Sequence, residues 1–90
     1  MAKADVDPAE LRRFAQDLSR FSAELQNLMA GLHARMLGLG ETWKDQEQRK
    51  FSEELDDTMK TLRRFLEASE RHVNFLGKKA RHIEEYLQQR

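Results

Sequence analysis

Leucine recurs every seven residues at Leu11, Leu18, Leu25, Leu32 and Leu39. Phe14, Phe21 and Leu28 each follow one of the first three leucines by three residues, which is the spacing of a helical seam. Arg35 is the one polar break in this seam, and Met29 and Met36 widen the stripe beside it. The run has a strong start signal in Asp7-Pro8-Ala9-Glu10: an N-cap aspartate, proline at the first helical position, and a glutamate at capping-box spacing. Val6 is placed to staple onto Leu11. The pattern predicts a helix over about 8–38.

Gly38 and Gly40 then interrupt the periodicity, because glycine favours helix ends and weakens helix interiors. Thr42 or Asp45 can cap a second helix, and Asp45 again has a capping-box partner in Gln48. A second apolar row then steps by threes and fours through Phe51, Leu55, Met59, Leu62 and Leu66. It continues through Val73, Leu76, Ala80, Ile83 and Leu87, with Ser69 in the small polar slot between. Phe65, Phe75 and Tyr86 lie off the row. This predicts a second helix over about 46–88, roughly 65 Å long at 1.5 Å per residue. Gly77 weakens it by about 1 kcal/mol relative to alanine. The turn at about 39–45 is short enough to make the helices antiparallel neighbours. The fold class is therefore all-α, a single two-helix hairpin over residues 1–90.

Two helices share one seam, yet the apolar positions exceed it. Phe21, Met29, Met36, Phe65, Phe75 and Tyr86 cannot all enter a single two-helix interface. Their most economical burial is against a second hairpin, giving a four-helix bundle, with roughly 1.5–3 kcal/mol from each large side chain buried. On the first helix the association surface is expected at Leu11, Phe14, Leu18, Phe21, Leu25, Leu28 and Leu32. On the second it is expected at Leu55, Leu62, Phe65, Leu66, Val73 and Leu76.

Composition narrows the function classes. Of the 90 residues, 16 are basic and 16 acidic, so the formal charge is zero and a broad electrostatic footprint for nucleic acid is not expected. Glu53, Glu54, Asp56 and Asp57 open the second helix, and Arg71, Lys78, Lys79 and Arg81 lie toward its end. That order complements the helix dipole, and it also sets acid against base if two second helices pack antiparallel. There is no cysteine, hence no disulfide or thiolate metal site. His33, His72 and His82 share no helix face at i,i+4 spacing, so no metal or other cofactor is expected. His72, in a Phe- and Leu-rich stretch, is a candidate sensor of mild acid. Adjacent carboxylates such as Glu84 and Glu85 point in different directions on a helix, and no nucleophile or glycine-rich loop accompanies them; an enzyme is not expected. Residues 1–7 lack the apolar run of a cleavable signal peptide, and no segment reaches membrane-spanning length. The expectation is a cytoplasmic protein, or one exported by a route that reads another signal.

The lone tryptophan sits in the turn as Trp43-Lys44-Asp45, with Phe51 eight positions on, and Asp7-Pro8-Ala9-Glu10-Leu11 opens the first helix. With the length and the absence of cysteine, this resembles the WXG-100 family, the early-secreted-antigen-like proteins of type VII secretion. The resemblance implies homodimers, or heterodimers with a paired homologue, built as four-helix bundles. It also implies a role as secreted effector, export partner or chaperone-like adaptor, with contacts to the secretion machinery. Two positions depart from the family pattern. Asp45 stands where the family has glycine, and the tyrosine–acid export element is matched at Tyr86 but has Arg90 at the acid's place. If the protein is exported, the resemblance then implies that a partner supplies the signal or that another element is read. The alternative is a cytoplasmic coiled-coil adaptor or chaperone-like protein that is not exported. Trp43 itself is either a plug at the end of the core or part of a recognition surface at the tip.

Overall fold

The computed structural model describes residues 6–89. Arg90 and the first five residues, which bear on the export element and the signal-peptide reading, lie outside the described residues. The chain forms a hairpin of α1 (Pro8–Leu39) and α2 (Gln46–Gln88), measuring 68 × 18 × 14 Å.

Both helices start where an aspartate can accept backbone donors that the first turn leaves free. The Asp7 carboxylate accepts from the Ala9 N–H at 2.9 Å, and the Asp45 carboxylate accepts from the Gln48 N–H at 2.9 Å. Asp45 is thus the cap of α2. Thr42, the other candidate, instead donates its hydroxyl to the Leu39 carbonyl at 3.3 Å and helps close α1.

The glycines act differently from the expectation. Gly38 stays inside α1, and Gly40 ends it in a right-handed conformation at φ −64°, ψ −14°. No described residue has positive φ. The chain leaves α1 through tightened turns, with the Glu41 N–H on Gly38, and the Thr42 and Trp43 N–H groups on Leu39. Extended Asp45, at φ −87° and ψ −175°, then redirects it into α2.

The seam of α1 is rotated from the one its leucine–phenylalanine pairs suggest. Its covered or half-covered positions are Leu11, Ala15, Leu18, Ser22, Leu25, Met29 and Met36. This is still a heptad row, but the leucines alternate with small side chains and methionines. Phe14, Phe21 and Leu28 stand outside it, at 59%, 53% and 70% exposure. The physical reason lies in the facing helix, which contributes bulk at Leu55, Met59, Leu62, Leu66, Val73, Leu76 and Ile83. Against that bulk the smaller row of α1, with Ala15 and Ser22 in it, lets the axes approach, whereas two rows of large rings would hold them apart.

On α2 two of the expected seam positions also move outward. Ser52, not Phe51, holds the first seam turn, and Leu87 remains exposed. Only Ala15, Met59, Ser69 and Ala80 are buried among the described residues. The contacts Arg12–Glu84 and Phe21–Phe65, one on each flank, bracket a register that sets Ser22 across from Ser69. Neither hydroxyl finds a hydrogen-bond partner, so the middle of the seam is a small polar layer.

Candidate association surface

Because the seam is one stripe on each helix, every other row must fall on one of two broad faces. Phe14, Phe21, Leu28 and Arg35 repeat at seven-residue intervals on α1. On α2 the row Phe51, Thr58, Phe65, His72, Lys79 and Tyr86 does the same. The rings of Phe21 and Phe65 meet edge to face, with centroids 6.0 Å apart and planes at 89°. That contact joins the two rows into one face. Phe75 lies one turn further round α2, 64% exposed, and Tyr86 is 63% exposed.

The opposite face carries Arg12, Ser19, Gln26 and His33 from α1, and Asp56, Arg63, Glu70, Gly77 and Glu84 from α2. It too is joined by a direct contact. The Arg12 guanidinium donates to both carboxylate oxygens of Glu84, at 2.9 and 2.6 Å. These hydrogen bonds hold the Glu84 carboxyl below the ordinary carboxylate range, and with the carboxylate's charge they raise the Arg12 guanidinium above its own. Both side chains are about half exposed, so the pair fixes register more than it adds stability. The hairpin is two-sided: one face aromatic, the other polar.

Charges border the aromatic face unevenly. Glu10, Asp17 and Glu24 each stand four residues before Phe14, Phe21 and Leu28, forming an acidic edge along α1. His72 and Lys79 lie within the α2 row, with His82 beside it, toward the open end of the hairpin. Arg35, the polar break in the first helix's pattern, is exposed near the tip. It has no ion-pair partner among the described residues.

At the tip, Trp43 is half-buried and its indole tilts against Phe51, with centroids 5.8 Å apart and planes at 35°. Phe51 therefore leaves the seam to cover the tryptophan. Leu37 and Leu39 add exposed apolar surface on the last turn of α1. Periodicity missed Leu37 because it lies on no apolar row.

The other residues expected at the association surface divide by role. Leu11, Leu18, Leu25, Leu55, Leu62, Leu66, Val73 and Leu76 are half-covered in the seam, whereas Leu32 is exposed at its edge. Sequence reasoning merged the rows that close the hairpin with those left uncovered. It also passed over Ser22 and the Arg12–Glu84 pair. Ser22 had a signal in its heptad spacing with Ala15 and Met29; the ion pair, 72 residues apart, had none.

Among the described residues, no group of three His, Asp or Glu side chains is placed to hold a metal ion. Nor is any described helix long and apolar enough to cross a membrane. Two antiparallel helices, an aromatic turn and one uncovered aromatic face define a two-helix, all-α hairpin. The family model for proteins of 100 residues with WXG matches residues 3–86. The chain belongs to this WXG100 family. No curated protein and no solved structure matches it significantly.

Proposed function

We propose that the protein is a non-enzymatic association module of type VII secretion, whose aromatic face is covered by a second hairpin to complete a four-helix bundle. The observation that carries this is the uncovered apolar surface. The chain exposes 7450 Å², against roughly 5,500 Å² for a compact protein of its mass. The excess of roughly 2,000 Å² is what one partner contributes to a large obligate interface. Its radius of gyration of 20.2 Å, against roughly 12 Å for a compact domain of this length, reflects the extended two-helix shape that leaves both side faces uncovered.

The second hairpin is a copy of this chain or a paired homologue. Antiparallel stacking of two copies sets Arg35 of one near Glu10 and Asp17 of the other, and Lys79 and His82 near Glu54. In this reading the protein leaves the cell without a cleavable signal peptide, as effector, export partner or adaptor, and the tip presents Trp43 to the secretion machinery. Sedimentation over a wide concentration range tests the association. A folded monomer at micromolar concentration, with no homologue co-purifying from the native cell, overturns it.

Asp45 favours a second reading, a cytoplasmic adaptor, because its cap gives the turn a purely structural account. Trp43→Ala separates the two. Export or partner binding is lost from a folded hairpin in the first reading, and only stability is lost in the second.

A further inference from the structure

We infer that the polar face carries a second, independent docking site, a basic cleft at the open end of the hairpin that takes a carboxylate-bearing segment of a partner protein. It goes beyond the bundle reading, since it lies on the face that the second hairpin does not use.

The cleft is an open groove of about 670 Å³ between the first turns of α1 and the last turns of α2. Arg12, Lys78 and Arg81 line it, with Gln16 and Asn74 as further hydrogen-bond donors and no acidic residue in its lining. Among these three cations only Arg12 has an ion-pair partner in the described residues, Glu84 on the rim. Lys78 and Arg81 are three apart on one helix, so their like charges repel until an anion lies between them.

Gly77 forms part of the lining. A Cβ added there would meet nothing within 4 Å, and the residue does not have positive φ. Neither hairpin packing nor backbone geometry therefore calls for glycine, although it weakens the helix. What its missing side chain does supply is the open space of the cleft.

Carboxylate is favoured over nucleic acid because the basic patch is short and the whole chain carries no net charge. Two cations at helical spacing with carboxamides beside them match carboxylates along an extended acidic segment.

The test titrates the isotope-labelled full chain with acetylated Glu-Ser-Glu-Ser-Glu-Ser amide, followed by NMR. Amide shifts confined to residues 12–19 and 73–81, weakening with added salt, are expected. Gly77→Leu should obstruct the cleft beside Lys78 and Arg81 and weaken binding, with thermal stability at or above that of the parent. Arg81→Glu should weaken binding without loss of helix. Three results would each overturn the proposal: no shifts at millimolar peptide, shifts unaffected by Gly77→Leu, or equal shifts produced by inorganic phosphate or a duplex oligonucleotide. Self-association is read separately by sedimentation, so failure of one reading leaves the other standing.

Discussion

Replacing Phe14 by glutamine removes an aromatic ring from the uncovered face while keeping a good helix former and the length of the stem. Phe14 is 59% exposed in the hairpin. An aromatic side chain offers on the order of 200 Å², so roughly 120 Å² awaits a partner, about 3 kcal/mol at 25 cal/mol per Å². A two-fold dimer contains the ring twice, for about 6 kcal/mol in all. If the partner covers half of that area, about 3 kcal/mol is lost, or roughly 100-fold in dissociation constant. The ring's covered part, roughly 80 Å², limits the cost to the hairpin itself to about 2 kcal/mol. Sedimentation equilibrium gives the dissociation constant, and circular dichroism at the same concentrations reports the fold. Arg20→Gln, on an exposed residue whose neighbour Asp17 lies at 3.6 Å, is the control and should leave association unchanged. A dimeric parent whose Phe14→Gln variant dissociates at the same concentration, with intact helix, would refute the assignment of the interface to this face.

Three further predictions concern the hairpin. Ser69 is 1% exposed with an unpartnered hydroxyl. Ser69→Ala should therefore stabilise by about 1 kcal/mol, which thermal melts should show as a rise of roughly 4–8 °C; a lower melting temperature would mean the hydroxyl has a partner. Asp45→Ala should cost about 1 kcal/mol through loss of the α2 cap, and Asp45→Gly only a few tenths. Equal losses in chemical denaturation would show that the carboxylate is not capping. Glu84, its pKa lowered by the Arg12 hydrogen bonds, favours the folded state fully above its unfolded pKa of about 4.3. That contribution disappears as pH falls through its lower folded value. The stability difference between parent and Glu84→Gln should accordingly shrink on acidification below about pH 4.3, and a difference constant down to pH 2 would remove the pair from the account.

Much of the architecture was legible because it depends on local chemistry. Asp7 and Asp45 announce the helix starts through their own side chains, and the three-and-four spacing of α2 marks its inner row from Leu55 to Ile83. The tryptophan turn and total length were enough to suggest the family. Which α1 row faces inward was not legible, since Leu11 and Leu18 pair at helical spacing equally well with Phe14 and Phe21 or with Ala15 and Ser22. The candidate surface inherited that ambiguity.

What sequence alone determined is therefore the hairpin, its turn, and an apolar excess that one seam cannot hold. Periodicity and capping act within a few residues and need no knowledge of what lies across the seam. Only the tertiary structure decided which apolar row stays uncovered, because that depends on how bulk on one helix fits the other. Small residues in the seam, Ala15 and Ser22 on α1 with Ser69 and Ala80 on α2, let the two axes approach. The rotation that permits this turns Phe14, Phe21 and Leu28 outward beside Phe65, brings Arg12 to Glu84 on the far side, and leaves an aromatic face and a polar face where the pattern had shown one broad stripe.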